Sequence, residues 1–202
     1  MDQFERCPYK YKLRYIDKLK PLFNCDASNA LVLGTAVHTG IEKGVEVGVG
    51  EYVGAYPVLT DLMVNEIMKL DIVIPQVRKM IPAGEFEIKL DHPDFVGYID
   101  LLTPVEGELS AFDMYDFKYS KNKANYLKSP QLSIYKYFFE LLHPGKRIRN
   151  LNYLLVPKTA IRQKKTETLR TFRQRIFDTL DGMAPELVPV EYDLDAVVQF
   201  LL

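Results

Sequence analysis

Two hydrophobic periods alternate along this chain of 202 residues, and each period predicts a different kind of element. Apolar residues at helical spacing predict helices over much of the first eighty residues, and again toward the end. Gly44, Gly48, Gly50 and Gly54 are expected to weaken the second helix. The predicted helices span residues 2 to about 20, 33 to about 45, 58–70, 129–142, 166–180 and 193–202.

Between these helices the period changes to two, which is typical of strands whose side chains alternate between the faces of a sheet. The predicted strands span residues 85–90, 95–102 and 110–119, joined by tight turns, and a short apolar strand at 151–156. This order predicts an α/β or α+β domain with a mixed central sheet, an antiparallel meander and flanking helices. We expect one domain over 1–202, with an N-terminal helical region over 1–80, a sheet core over 81–160 and C-terminal helices over 161–202.

The composition is that of an ordinary globular protein, with 26 basic and 27 acidic residues and a formal net charge of −1. That balance argues against a protein that coats DNA generally, but it leaves room for an enzyme with local basic patches. No apolar run approaches the roughly 18 residues of a membrane span, and the charged N-terminus does not resemble a signal peptide. Two cysteines argue against a disulfide scaffold and favour a cytoplasmic location.

Candidate chemistry lies between Gly97 and Lys118. In the predicted strand ending Asp116-Phe117-Lys118, the carboxylate and the ammonium point to one face and Phe117 to the other. Asp100 on the preceding strand supplies a second carboxylate. Hard oxygen ligands suit Mg²⁺ or Mn²⁺, and a neighbouring lysine stabilises charge on a phosphate or positions water. This combination predicts metal-dependent hydrolysis of phosphodiesters.

Four further short motifs occur with Asp116-x-Lys118 in a fixed order. They are Phe4-Glu5-Arg6-Cys7-Pro8-Tyr9-Lys10-Tyr11, Gly34-x-x-x-His38, Gly97-Tyr98-Ile99-Asp100 and Gln131-x-x-x-Tyr135. Each is weak alone, but their order resembles the RecB-like branch of the PD-(D/E)XK nuclease superfamily. The resemblance runs from residue 4 to about 139.

The resemblance implies a restriction-endonuclease-like core and a divalent cation, Mg²⁺ or Mn²⁺, held by His38, Asp100, Asp116 and the carbonyl of Phe117. Imidazole beside two carboxylates shifts the preference somewhat toward Mn²⁺. Lys118 is expected to orient or activate the attacking water. Gln131 and Tyr135, stacked on one helix face, are expected to border the active site and to hold the lysine or the scissile strand.

The resemblance also implies the activity, a stand-alone DNA nuclease. An exonuclease that processes DNA ends in recombination, repair or phage and mobile-element metabolism is favoured. An endonuclease working with CRISPR or restriction machinery and a non-catalytic DNA-binding domain of the same fold are the alternatives. A homo-oligomer or a recombination partner protein, in a bacterial or phage-infected cell, is compatible with each.

An additional acid is expected on the strand at 85–90. By period two, Glu85 and Glu87 share one face, and either could act on the metal directly or through water. Glu87 is preferred, with a solvated strand edge as the alternative for both.

Basic and aromatic side chains predict contact with the nucleic-acid backbone and bases. Any single charge run could instead be a solvated face. The residues expected to bind DNA are Tyr9, Lys10, Lys121, Lys123, Lys128, Arg162, Lys164 and Lys165, and the wider groups add Tyr11, Lys12, Arg14, Tyr15, Lys146, Arg147, Arg149, Lys158, Arg170, Arg173 and Arg175.

The two cysteines separate this chain from relatives that carry an iron–sulfur cluster. Those relatives use one cysteine near the N-terminus and three near the C-terminus, whereas here no cysteine follows Cys25. No iron–sulfur cluster is therefore expected, and Cys7 is expected to be a small buried residue. No Gly-x-x-x-x-Gly-Lys-Ser/Thr loop is present, so no helicase domain is expected in this sequence.

Overall fold

The computed structural model describes residues 7–19 and 25–202. In these ranges, five strands form one sheet in the order β1-β2-β3-β4-β5. Strands β1 to β3 are an antiparallel meander, β4 runs parallel to β3, and β5 is antiparallel to β4. The strands are β1 Glu85–His92, β2 Phe95–Val105, β3 Glu108–Lys118, β4 Arg147–Leu155 and β5 Glu186–Val190.

Helices precede the meander, connect β3 to β4 and follow β4. The first, α1, continues directly into a π-helical segment, Lys12–Ile16. The helices are α1 Pro8–Tyr11, α2 Ala30–Lys43, α3 Val45–Gly54, α4 Asp61–Arg78, α5 Lys123–Leu127, α6 Gln131–Leu142, α7 Leu169–Asp181 and α8 Leu194–Leu201.

Side-chain caps begin four of these helices. Asn29 accepts a hydrogen bond from the Leu31 N–H at 3.1 Å and so fixes the start of α2. Thr60, Thr168 and Asp193 cap α4, α7 and α8 in the same way. Each cap satisfies a backbone donor that the first turn would otherwise leave unpaired.

The sheet separates two hydrophobic clusters. On one face α2, α4 and α7 pack around buried residues such as Val37, Ile74 and Ile176, together with Phe117 of β3. On the other face α6 and α8 cover Met114 of β3 and the ends of the meander. The sheet is therefore the middle layer of a three-layer structure.

The parallel pair β3 and β4 brings two carboxyl ends to one edge of the sheet. Lys118 pairs with Leu155 at that edge, and the Val156 N–H donates to the Lys118 carbonyl at 2.9 Å. In sheets with parallel strands, binding sites lie at such carboxyl ends. A binding site is therefore expected at this edge, among the residues that follow β3 and β4 and the neighbouring residues of β2.

The structure confirms the fold class, a mixed sheet with an antiparallel meander flanked by helices, and changes several elements. Val45–Gly54 is a helix, although its glycines predicted weakening. The third helix starts at Asp61 and passes through Pro75 to Arg78. Helix α5 and strand β5 were not predicted, so the segment 161–202 supplies a strand as well as helices.

The glycine-rich helix α3 packs closely on α2 because Gly48 has no side chain. A Cβ on Gly48 would lie 2.4 Å from the Ala36 carbonyl and 2.6 Å from the Gly40 Cα of α2. Gly44 turns the chain between the two helices with φ of 112°. The close contact between the two helix backbones therefore outweighs the low helix propensity of glycine.

Two further expectations concern the N-terminal region. Pro8–Tyr11 is helical as predicted, whereas the start of the predicted helix, with Phe4, Glu5 and Arg6, lies outside the described residues. Cys7 is exposed, which contradicts the expected burial, and Cys25 is exposed too. Within the described ranges, no helix has the length and apolarity that crossing a membrane would require.

Candidate metal centre

His38 joins α2 to the sheet. Its Nδ1 lies 3.2 Å from Asp100 Oδ1, and its Nε2 lies 3.0 Å from the Phe117 carbonyl oxygen. Burial alone lowers the pKa of His38, but the hydrogen bond and charge of Asp100 outweigh it and raise that pKa above its usual value. Both ring nitrogens thus face oxygen acceptors, an arrangement that favours the protonated ring.

Asp100 closes a gap between two strands. The β2–β3 pairing ends at Leu101 and Tyr115, one residue short of Asp100 and Asp116. There the buried Asp100 side chain accepts the Phe117 N–H at 2.6 Å through Oδ2. Its other oxygen is left to His38, so one carboxylate holds both the histidine and the backbone of Phe117.

Glu87 reaches this centre through an irregular backbone. The β1–β2 register pairs Phe86 with Leu101 and Ile88 with Ile99, which places Glu87 opposite Asp100. Glu87 has a φ of 53°, in the left-handed region that a non-glycine residue rarely adopts within a strand. Strain of this kind is concentrated at functional sites.

Three side chains converge as a result. Ligand atoms of His38, Glu87 and Asp100 all lie within 4.8 Å of one another. Burial and the charge of Asp100 raise the pKa of Glu87 above its usual value. Glu85, paired with Leu102 further along β1, is not in this group, so the structure brings Glu87 rather than Glu85 to the centre.

Asp116 lies on the α6 side of the same centre and is only 3% exposed. Its Oδ1 accepts a hydrogen bond from Gln131 Nε2 at 3.0 Å. Its Oδ2 lies 2.6 Å from Lys118 Nζ, so a buried ion pair partners this oxygen. Burial and Asp100 raise the pKa of Asp116 to about 6, although Lys118 opposes the shift.

Lys118 is fixed from several sides. Besides Asp116, its Nζ contacts Gln131 Oε1 at 3.2 Å and lies 5.7 Å from the ring centroids of both Tyr126 and Tyr153. Burial lowers the pKa of Lys118, but the charge of Asp116 outweighs it, so the pKa is raised and the ammonium is retained. Tyr126 and Tyr153 were missed in the sequence analysis because neither belongs to a motif. No local pattern distinguishes them from other aromatic residues of the chain.

Gln131 and Tyr135 lie side by side on α6, as predicted from their spacing. Gln131 Nε2 also donates to Tyr135 Oη at 3.1 Å, so the amide connects Asp116, Lys118 and Tyr135. Gly97 is explained by the same packing. A Cβ there would lie 2.8 Å from the Phe95 ring and 3.1 Å from the Tyr135 ring.

The donor set suits a divalent cation. It comprises an imidazole, carboxylates and a backbone carbonyl. The oxygen ligands suit Mg²⁺ and Mn²⁺, and the imidazole shifts the preference toward Mn²⁺. His38, Glu87 and Asp100 could therefore hold a metal ion, with the Phe117 carbonyl beside His38. Asp116 is not in that group, and its oxygens face Gln131 and Lys118.

A groove beside this centre follows the outer face of α2. Its volume is about 540 Å³, and we call it the α2 groove. It is lined by Gly34, Thr35, His38, Thr39, Lys43 and Glu87, among others. Two candidate metal ligands therefore line a groove that is open to solvent.

The residues predicted to bind DNA are dispersed. Tyr9, 68% exposed, and Lys10 lie on α1, and Lys121 and Lys128 are exposed beyond β3. Lys123 is in an ion pair with Glu186. Arg162, Lys164 and Lys165 are exposed ahead of α7.

Much of the wider basic set is neutralised within the fold. Glu108 pairs with both Arg147 and Arg149, and Glu167 pairs with Arg175 through Nη2 at 2.7 Å. Arg173 contacts Asp61 at 3.0 Å. Such pairs weaken the case for these arginines as phosphate contacts, because their charge already has a partner.

Comparison with known proteins adds one match. A family model described as the PD-(D/E)XK nuclease superfamily matches residues 1–71, the segment that carries His38 but none of the strands. A search of curated proteins found no match. The five-stranded sheet and flanking helices are consistent with the restriction-endonuclease-like fold of that superfamily. The match and the candidate metal centre together suggest a metal-dependent nuclease.

Proposed function

We propose that this protein is a Mg²⁺- or Mn²⁺-dependent deoxyribonuclease of the RecB-like branch. One observation carries the proposal, the convergence of His38, Glu87 and Asp100 within 4.8 Å beside the buried Asp116–Lys118 pair. Binding DNA without cutting it would require neither a cluster of ligands nor a buried lysine. The superfamily match supports a DNA substrate.

The metal would be held by His38, Asp100, Asp116 and the Phe117 carbonyl, with Glu87 as an additional acid. When bound, the cation polarises the phosphate and lowers the pKa of a coordinated water. His38 would coordinate through a ring nitrogen that carries no proton, because a ligating imidazole is neutral there. The Asp100 bond to the Phe117 N–H fixes the backbone of Phe117, the residue whose carbonyl faces His38.

Lys118 is the residue proposed to act on the reacting atoms. Its ammonium, held between Gln131 and Asp116, can orient the attacking water and stabilise negative charge on the pentavalent phosphate. Gln131 acts through Lys118 and Asp116, and Tyr135 supports Gln131. These two are positioning residues in this proposal.

DNA contact is assigned to the exposed basic residues that have no ion pair within the described chain. Phosphate contacts of this kind give affinity that is independent of sequence and falls with salt. The exposed Tyr9 and Tyr15 could stack on bases. The assigned cations are Lys10, Lys121, Lys128, Arg162, Lys164 and Lys165, and Lys123 joins them once its pair with Glu186 opens.

Within this activity we favour an exonuclease that processes DNA ends in recombination, repair or phage and mobile-element metabolism, in the cytoplasm. The alternative activity is an endonuclease that works with CRISPR or restriction machinery. Both use the same chemistry, so the difference lies in how DNA enters. The same proposal includes a single domain over 1–202, a homo-oligomeric assembly and the lack of an iron–sulfur cluster.

Digestion of matched DNA substrates tests the function. Linear and covalently closed circular DNA, single- and double-stranded, are incubated with Mg²⁺, Mn²⁺ or Ca²⁺. Asp116→Ala and Lys118→Ala should abolish cleavage, whereas Asp113→Ala, on the opposite face of β3 and bonded to Asn150, should cut like wild type. Cleavage by both site variants would refute the site. Cleavage of closed circles would decide for the endonuclease.

A further inference from the structure

Three glycines on and beside α2 differ in what surrounds them. A Cβ on Gly40 would lie 2.5 Å from Ile74 Cδ1, and one on Gly48 would lie 2.4 Å from the Ala36 carbonyl, so packing explains both. A Cβ on Gly34 would meet no heavy atom within 4 Å. Gly34 has no positive φ either, so neither packing nor backbone geometry within the described chain requires a glycine there.

A glycine inside a helix is nevertheless unfavourable, because it adds backbone entropy to the unfolded chain. Gly34 is five residues into α2 and lines the α2 groove. Glycine in such a position is used where another backbone or a ligand approaches closely. No described residue fills the space over Gly34, so a ligand has room to approach there.

The side chains that line the α2 groove indicate what kind of ligand would lie there. Gly34 and His38 are one helical turn apart on the same face, and Glu87 lines the groove as well, so the groove leads to the candidate metal centre. Thr35 and Thr39 lie at four-residue spacing on the groove side of α2 and present hydroxyls, whereas Lys43, one turn further on, already pairs with Glu42 at 3.5 Å. Donors of this kind contact phosphate oxygens in complexes with nucleic acids.

We propose that one strand of the DNA substrate lies in the α2 groove, with its sugar–phosphate backbone against Gly34. The inference rests on the proposed nuclease function and adds a path for the substrate. A side chain at position 34 would hold the strand away from the metal centre, and the hydroxyls of Thr35 and Thr39 would bond its phosphates. Gly34 is therefore a positioning residue for the substrate rather than a structural glycine.

Two alanine variants test this in the full-length protein. Gly34→Ala is compared with Gly50→Ala, which lies inside α3, is exposed and likewise meets nothing within 4 Å. Both should raise Tm by about 2–4 °C, because alanine favours the helix. Only Gly34→Ala should lower kcat/KM for DNA cleavage, by about tenfold to a hundredfold, and Gly34→Leu should lower it further.

Binding separates a substrate path from an effect on the metal. In a Lys118→Ala background with Mn²⁺, fluorescence anisotropy of a labelled DNA oligonucleotide should show weaker binding for Gly34→Ala and unchanged binding for Gly50→Ala. Mn²⁺ affinity, measured by titration without DNA, should be the same in both.

Equal DNA binding and cleavage by the Gly34 and Gly50 variants would overturn the proposal. A loss of Mn²⁺ affinity in Gly34→Ala that matches its loss of DNA binding would overturn it too, since the groove would then act only through the metal. Neither outcome touches the nuclease function, which is judged separately by whether the wild type cuts DNA and Asp116→Ala does not.

Discussion

Glu87 lies opposite Asp100 across the β1–β2 pairing, and both strands change face at this level. Ile99 packs on the α6 side of the sheet, whereas Leu101, two residues later, packs on the α2 side. Ile88 and Phe86 show the same change on β1. The left-handed backbone of Glu87 marks the change and lets two carboxylates meet beside His38.

Glu87→Gln should weaken Mn²⁺ binding about tenfold to a hundredfold, because it removes an acid from the group that includes His38 and Asp100. Titration calorimetry of the purified protein measures this. Glu85→Gln, on the same strand but outside the group, is the matched control and should bind like wild type. Equal losses in the two variants would mean that charge on β1, rather than a ligand, is responsible.

Glu87→Asn should raise the free energy of unfolding of the metal-free protein by about 1 kcal/mol. Asparagine tolerates the left-handed backbone that glutamate adopts there under strain. Chemical denaturation without metal checks the change, and Glu85→Asn, in regular strand backbone, should give no increase. If Glu87→Asn is less stable than wild type, the backbone at this position is not strained.

Gln131→Ala should lower kcat by about tenfold to a hundredfold and leave Mn²⁺ affinity within about twofold, because the amide positions Lys118 and Asp116 without being a ligand. Single-turnover cleavage and metal titration give the two quantities. Gln199→Ala, an exposed glutamine on α8, is the control. A fall in metal affinity with unchanged kcat would reverse the assignment.

Arg78→Met should lower the free energy of unfolding by about 1–3 kcal/mol. The Arg78 guanidinium donates to the carbonyls of Gly40, Ile41 and Glu42 at the end of α2, and these would lose their partner. Lys79→Met, the exposed next residue, should have little effect in the same denaturation experiment. Because α2 carries His38, Mn²⁺ affinity should fall in Arg78→Met as well, and an unchanged affinity would show that the end of α2 does not position His38.

Metal affinity should fall as the pH falls from 8 to 5. Burial and Asp100 raise the pKa of Asp116 to about 6, and Asp100 raises that of His38 above its usual value. Both groups therefore hold protons at the lower pH, and a metal must displace them, at up to about tenfold in affinity per pH unit for each proton. Mn²⁺ titrations at several pH values measure the slope, which Asp116→Asn should reduce. A pH-independent affinity would exclude both groups as ligands.

The helical and strand periods by themselves predicted the fold class and most elements, because burial on one face imposes a period that survives without tertiary information. They failed where packing overrides propensity. Gly48 predicted a weakened helix, but it allows the backbone of α3 to contact that of α2. Strand β5 has Pro189 within a short segment, which hides its pairing with β4.

The relative placement of the candidate site residues was predicted to a similar extent and for a similar reason. Asp116 and Lys118 share a face because β3 alternates regularly, and Gln131 and Tyr135 because α6 turns regularly, so local geometry sufficed for both pairs. The alternation of side chains along β1 could not decide between Glu85 and Glu87, because the regular strand backbone is interrupted at Glu87. The loss of Arg147, Arg149 and Arg175 to internal ion pairs also required the fold, as their partners lie up to 41 positions away.

The sequence by itself determined a mixed α/β chain with His38, Asp100, Asp116 and Lys118 as the residues of interest, because residue type and short-range period are written in it. Only the tertiary structure decided that Glu87 meets His38 and Asp100, that Tyr126 and Tyr153 enclose Lys118, and that Gly34 faces an open groove. These relationships depend on how strands twist and helices dock, and contacts between distant segments set both.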